Sequence, residues 1–190
     1  MKILPQPDTK GTVSVEEAIA KRRSVRSFTN AALTDTEISQ LLWAAQGITD
    51  KASGHRAVPS AGATYPLETY LATTEGLFRY LPEKHALEQI SAKDVRSDLA
   101  KAALGQRFIK SAPATIIFAA VPTRTTGRYG ERGLRYIYME AGHAAENVHL
   151  QVAALGLGSV PVGAFSDDEV AKVLNLPKDE KPLYLIPVGR

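Results

Sequence analysis

Lys21-Arg22-Arg23-Ser24-Val25-Arg26 stands where the first capped helix of the chain is expected to end. Three guanidiniums and a hydroxyl fall within this stretch, and arginine offers a rigid, always-charged, bidentate donor fork. Such a group can converge on a phosphate. A helix C-terminus is the negative end of the macrodipole, so an anion held there has to be gripped by side chains. The same dipole favours cations at a helix end with no ligand at all, and the stretch alone leaves both readings open.

Working outward, three helix starts carry one signature. Ser14 with Glu17, Thr34 with Glu37 and Ser166 with Glu169 each fit the S/T-x-x-E capping box. The first helix should run to about Lys21 with Val15, Ala18 and Ile19 inward. The second places Ile38, Leu41, Leu42 and Ala45 on one apolar stripe. Asp94 is placed to cap a third helix through Leu104. The longest is expected from about Gly130 to Leu155, closed by Gly156.

Strand signals lie between the helices. Leu67–Thr74 and Leu77–Leu81, with Glu75-Gly76 between them and Pro82 after, read as a hairpin. Ala114–Val121 is a continuous apolar run rich in Ile, which predicts a strand buried on both faces. Ser159–Val162 and Leu183–Val188 are shorter strand signals. The order is helix, helix, hairpin, helix, strand, long helix, strand, helix, strand. That pattern is α+β, with helices packed on a partly antiparallel sheet. No Pro/Gly/Ser-rich linker or internal repeat divides residues 1–190, so one domain is expected.

Composition bounds the chemistry. At 44% hydrophobic content, the 190 residues suit a compact core, and a net charge of +3 is mild. Cysteine is absent, which removes thiolate nucleophiles, iron–sulfur clusters and Cys-based zinc sites. Redox chemistry would have to come from a bound cofactor. No apolar run reaches the length of a membrane span and the first ten residues lack a signal-peptide core, so a cytoplasmic location without membrane contact is expected, a removed export signal leaving no trace.

Two other small-residue segments could approach a flat ligand. Pro59-Ser60-Ala61-Gly62-Ala63-Thr64-Tyr65-Pro66 is either such a loop or a tight turn before a strand. In Gly156-Leu157-Gly158-Ser159-Val160-Pro161-Val162-Gly163-Ala164-Phe165 the glycines follow a helix instead of a strand, which excludes a dinucleotide-fold fingerprint. Gly163 and Ala164 still offer unobstructed backbone N–H groups. Glu140-x-x-His143 and Glu146-x-x-His149 imitate di-iron ligand units, but both lie on one helix and on different faces, so no metal is expected. Arg124, Arg128, Arg132 and Arg135 form a basic stretch with no nucleic-acid module around it, and read as a solvated face or a substrate-entry rim.

The order of these segments resembles the FMN-dependent nitroreductase family. Arg22-Arg23-Ser24-Val25-Arg26-Ser27-Phe28 looks like its opening motif, and Pro59–Pro66 and Pro161–Phe165 like its second and third flavin-contacting segments. Pro59–Glu68, Tyr129–Tyr136 and Glu140–Asn147 are similar to the SagB-type dehydrogenase branch. The resemblance runs from about Val13 to Arg190. It implies a three-layer α+β sandwich whose central, mostly antiparallel sheet is flanked by helices, and a homodimer with the flavin site shared between subunits. It implies that Arg22, Ser24 and Arg23 hold the FMN phosphate and ribityl chain, with Arg190 adding a phosphate contact. Arg26 would lie near the flavin N1–O2 edge, where positive charge favours the anionic reduced flavin. Gln106 would meet the pyrimidine edge. Pro59, Ser60, Ala61 and Gly62 would come from the partner subunit, with Pro161 and the Gly163 and Ala164 backbones by N5. The activity implied is ping-pong hydride transfer from NADH or NADPH to a small acceptor such as a nitroaromatic or quinone. No catalytic side chain is assigned; Tyr129 and Tyr136 are candidates for lining the substrate slot or for the core.

One departure narrows the resemblance. Azoline-oxidising relatives carry a Lys-Tyr pair where this chain has Arg135-Tyr136. A guanidinium stays protonated, so Arg135 is a poor base, which disfavours that oxidation. Dehydrogenation of a peptide or small metabolite, and a non-catalytic flavin-binding module, remain the alternatives.

Overall fold

The structure, a computed structural model, describes all 190 residues. Its centre is the apolar run predicted to be a buried strand. β7 (Ala114–Ala120) is buried at every position. Side chains alternate across a strand, so Ala114, Ile116, Phe118 and Ala120 enter one core while Ile117 and Ala119 enter another. A strand between two cores needs helices on both sides of the sheet, and the chain supplies them.

The predicted hairpin is β4 (Leu67–Thr73) and β5 (Gly76–Leu81), and it extends into β6 (Ala86–Ser91). With the short β1 (Lys2–Ile3), β8 (Gly158–Ser159) and the long β9 (Lys181–Gly189), the sheet order is β1-β6-β5-β4-β7-β9-β8. Every ladder is antiparallel, with Tyr70 opposite Ile117 and Ile117 opposite Leu185 at the centre. A separate ribbon pairs β2 (Ile48–Asp50) with β3 (His55–Arg56).

On one face lie α1 (Val15–Lys21), α2 (Asp35–Gln46), α5 (Thr123–Tyr129) and the long α6 (Arg132–Ala154). The other carries α3 (Arg96–Ala102), α4 (Arg107–Ser111) and α7 (Asp167–Leu174), packed through Leu99, Ile109, Val170 and Leu174. The architecture is the expected α+β three-layer sandwich.

Local corrections have local causes. The full capping box forms only at Thr34, where the Glu37 carboxylate reaches back to the Thr34 N–H at 2.7 Å. Ser14 accepts from the Glu17 N–H, but the Glu17 carboxylate is engaged by Lys21 and does not return the bond. Ser166 likewise makes only its own half. Asp94 accepts from the Arg96 N–H, yet α3 stops at Ala102 because Leu104 and Gly105 turn left-handed. In α1 only Ala18 is buried; Val15 and Ile19 are 65% and 58% exposed, not inward. One small residue suffices for α1 to touch α6, and the rest of its apolar stripe faces out. Tyr138 and Met139 of α6 are exposed as well. No helix is long and apolar enough to cross a membrane.

Candidate active site

After α1 the chain extends along the β8 edge. Ser24 bridges Ser159 in parallel, the Val25 N–H donates to the Ser159 carbonyl at 2.9 Å, and the Thr29 N–H donates to the Arg190 carbonyl. The close approach depends on Gly158, where an added Cβ would sit 2.8 Å from Val25 Cβ. The arginines therefore emerge at a sheet edge, held by backbone bonds.

Their side chains differ. Arg23 folds back on the helix end, donating to the Ala20 and Arg22 carbonyls at 2.9 and 2.6 Å. Arg22 lies 3.9 Å from Glu146. Arg190 pairs with Glu37. Ser24 and Arg26 are exposed, with side chains that bond to nothing in the chain. Beneath the segment, His149 Nδ1 meets Ser159 Oγ at 2.6 Å, while its buried Nε2 has no partner. Burial, reinforced by the Arg22 charge, holds the His149 pKa down to about 4, so the ring is neutral. A cavity of about 210 Å³ opens between α1 and α6, lined by Arg22, Arg23, Val25, His149 and Ser159 among others.

The third small-residue segment joins this edge. Val162 exchanges backbone bonds with Leu185 at 2.8 and 3.0 Å, which carries Pro161 and then the exposed Gly163 and Ala164 past the sheet. Neither the Gly163 nor the Ala164 N–H donates within the chain. Gln106 Nε2 donates to the Ala164 and Ala103 carbonyls, both at 2.9 Å, so this amide is brought to the segment.

Pro59–Pro66 lies elsewhere. Ala61–Ala63 form a 3-10 turn with Gly62 at φ +60°, and Tyr129 Oη stands where a Gly62 side chain would begin. Arg128 donates to the Gly62 carbonyl at 3.2 Å, and Arg124 to the Tyr65 carbonyl and Glu68 at 3.0 and 2.6 Å. Thr64 bonds Thr125, and Ser60 Oγ accepts from the Tyr65 N–H. Below, Glu140 is 3% exposed with one carboxylate oxygen unpaired. Burial pushes its pKa up to about 7 against the opposing Ser60 hydrogen bond and Arg56 charge. Glu140 and His149 are nine residues apart on α6, roughly 14 Å along the axis. One chain thus assembles the first and third segments and keeps the second apart.

Residues 19–190 match the family model described as the nitroreductase family. The chain belongs to the nitroreductase family. It is 48% identical over 184 residues to a Methanocaldococcus jannaschii protein described as a nitroreductase, covering 94% of this chain and 91% of that one. A solved structure described as a nitroreductase from Ralstonia eutropha superposes with a TM-score of 0.91 at 33% identity, over 100% of this chain and 88% of that one. The microcin B17-processing protein McbC of Escherichia coli is 29% identical over 150 residues, 73% of this chain and 55% of McbC. Membership makes the chain an oxidoreductase by family.

Within this nitroreductase fold the E-x-x-H pattern is resolved by burial. Glu140 and His149 mark the two edges of the buried arc of α6, whereas His143 and Glu146 are exposed. In sequence alone both buried groups read as ordinary helix polar residues. Their signal was the small and apolar company at Ala141, Ala144, Ala145 and Val148 on the same side. Arg124 and Arg128, expected on a solvated face or a substrate-entry rim, both anchor the Pro59–Pro66 loop. The largest cavity, about 640 Å³ beside α3 and α7, lies away from all three segments, and Lys93 and Lys101 there are paired with Asp98.

Proposed function

We propose that this chain forms a homodimer that binds FMN between subunits and reduces small acceptors, nitroaromatics or quinones, at the expense of NADH or NADPH. The observation that carries the reading is the β8–β9 edge, where an unpaired cation, Arg26, an unpaired hydroxyl, Ser24, and two free N–H groups, Gly163 and Ala164, stand together. That donor set fits a phosphorylated, electron-accepting ring system: Arg22, Ser24, Arg23 and Arg190 would hold the phosphate and ribityl chain. Gln106 would take the pyrimidine edge, and Pro161, Gly163 and Ala164 would line the ring. FMN, when bound, supplies the two-electron chemistry that side chains cannot.

The chain's own residues bind, orient and tune. Arg26 places fixed positive charge where negative charge would develop on the reduced ring. The separation of Pro59–Gly62 from that edge supports a site completed by a second copy, whose Pro59, Ser60, Ala61 and Gly62 would cover the ring. Val15, Ile19, Tyr138 and Met139, exposed on α1 and α6, supply apolar surface for that dimer. Both substrates would use one open slot in turn, which is ping-pong behaviour.

The similarity to McbC and to SagB-type segments favours a second reading, dehydrogenation of a peptide or small metabolite. Arg135 counts against it, because a guanidinium does not give up its proton to act as a base. Anaerobic mixing of purified protein with NADH and NADPH, followed by an acceptor panel, tests both. Bound FMN near one per chain, dimeric sedimentation and rapid flavin reduction are expected. Protein that neither carries nor takes up FMN overturns the proposal, and reduction only by a peptide or metabolite would install the second reading. Arg22→Ala with Arg26→Ala is expected to abolish FMN retention.

A further inference from the structure

The corner where α5 meets α6 carries more positive charge than the fold uses. Arg124 is engaged by Glu68 and the Tyr65 carbonyl, and Arg128 gives one nitrogen to Gly62. Arg132 and Arg135 are exposed and make no hydrogen bond or ion pair. Spaced three apart on α6, they project on one side. Their position opposes the helix dipole, which disfavours cations at an N-terminus, and α6 has no acidic residue in its first turn. Glu131, just before it, forms no ion pair with either. Unpaired cations occur elsewhere on the surface, at Lys10, Lys51 and Lys84 for example, but these lie on no common helix side, whereas Arg132 and Arg135 share one beside Arg128. Two arginines left unpaired in an unfavourable field add nothing to stability.

The surface between them suits a ring-bearing anion. Tyr136, one turn beyond Arg132, meets Tyr129 edge-on at 5.2 Å, and the Arg128 guanidinium lies 5.4 Å from the Tyr129 ring centre. The corner is open, since an added Cβ at Gly127 or Gly130 would meet nothing within 4 Å. It adjoins Gly62, in the loop assigned above to cover the partner's flavin. An arginine fork matches phosphate oxygens bidentately, and NADPH differs from NADH by one phosphomonoester, close to dianionic at neutral pH.

Given the flavin dimer proposed above, on which this assignment depends, we propose that Arg132 and Arg135 bind the extra phosphate of NADPH and make it the preferred donor over NADH. Arg128 and the tyrosine pair position the rest of the dinucleotide beside the Pro59–Gly62 loop.

The test uses the FMN-loaded protein in two measurements: calorimetric binding of NADP⁺ and NAD⁺, and half-saturation of anaerobic flavin reduction by NADPH and NADH. Wild-type protein is expected to favour the phosphorylated nucleotide about tenfold or more, the factor that roughly 1.4 kcal/mol confers. Arg132→Gln with Arg135→Gln should abolish that preference, weakening NADP⁺ and NADPH while NAD⁺ and NADH change by less than about threefold. Raised ionic strength should weaken NADP⁺ more steeply than NAD⁺ in wild type only. Flavin reduction without discrimination, a preference for NADH, or a preference that survives the double substitution each overturns the assignment and leaves the flavin proposal standing. Absence of FMN uptake by wild type overturns both.

Discussion

Glu140 and His149 bracket the buried arc of α6 and should oppose each other in the dependence of stability on pH. The Glu140 carboxyl moves from 4.5 up to about 7. At about 1.4 kcal/mol per pH unit, that is worth about 3 kcal/mol. The folded state holds this proton more tightly than the unfolded chain. Its contribution is therefore full below pH 4.5 and is lost as pH rises through 7. The His149 ring moves the other way, from 6.5 to about 4, again about 3 kcal/mol. The folded state holds this proton less tightly, so that contribution is full above pH 6.5 and is lost as pH falls through 4. Between about pH 4.5 and 6.5 the two slopes cancel in the wild-type protein. Each single variant uncovers the other group. Urea unfolding at fixed protein concentration across pH 4–8 measures this. The stability of Glu140→Gln minus wild type should climb by about 3 kcal/mol from pH 4.5 to 7. The difference for His149→Gln should fall by a similar amount from pH 4 to 6.5. A flat difference profile for either variant refutes the assignment of that group.

Three further substitutions probe the frame. Gly62→Ala puts a Cβ 2.5 Å from Tyr129 Oη at φ +60°; a loss of about 1–3 kcal/mol in unfolding free energy is expected, with weakened FMN retention. Phe118→Ala, at the centre of β7, should cost about 3–5 kcal/mol in denaturant unfolding, with no change in helix content of the folded state. Thr34→Ala removes the one reciprocal capping box and should lower stability by about 1 kcal/mol, read as a shifted urea midpoint with an unchanged slope.

Legibility in the sequence followed how local each signal was. The β4–β5 hairpin, β7, the stripe of α2 and the end of α6 near Gly156 depend on neighbours in sequence, and the structure has them where the residues say. The two-residue β1 pairs with β6, more than eighty residues on, and the irregular β2–β3 ribbon is too short to show a period, so composition announces neither; β8 covers only the start of the Ser159–Val162 signal. The exposure of Val15 and Ile19 shows the limit of periodicity: an apolar stripe says that a surface will be covered, not that its own chain covers it. At the candidate site the three segments were legible as small-residue and arginine stretches. Their grouping was not, because the bonds of Val25 to Ser159 and of Gln106 to Ala164 join residues that no spacing rule relates. Arg23 and Arg190 show the same limit, since their present partners, the α1 carbonyls and Glu37, are tertiary facts.

The bond between the Thr29 N–H and the Arg190 carbonyl has a temporal meaning. During synthesis the arginine segment emerges early, but the strand edges that hold it, β8 and β9, are made last of all the sheet. At roughly 5–20 residues per second, the segment waits on the order of ten seconds or longer before its resting place exists. Through that interval Arg22–Phe28 is a cationic, partly apolar connection between α1 and α2 that lacks its strand partners. Seating of the arginine segment and closure of the sheet are thus a single late event, so a nascent chain stalled before β9 would carry most of its core without the edge that the segment pairs with.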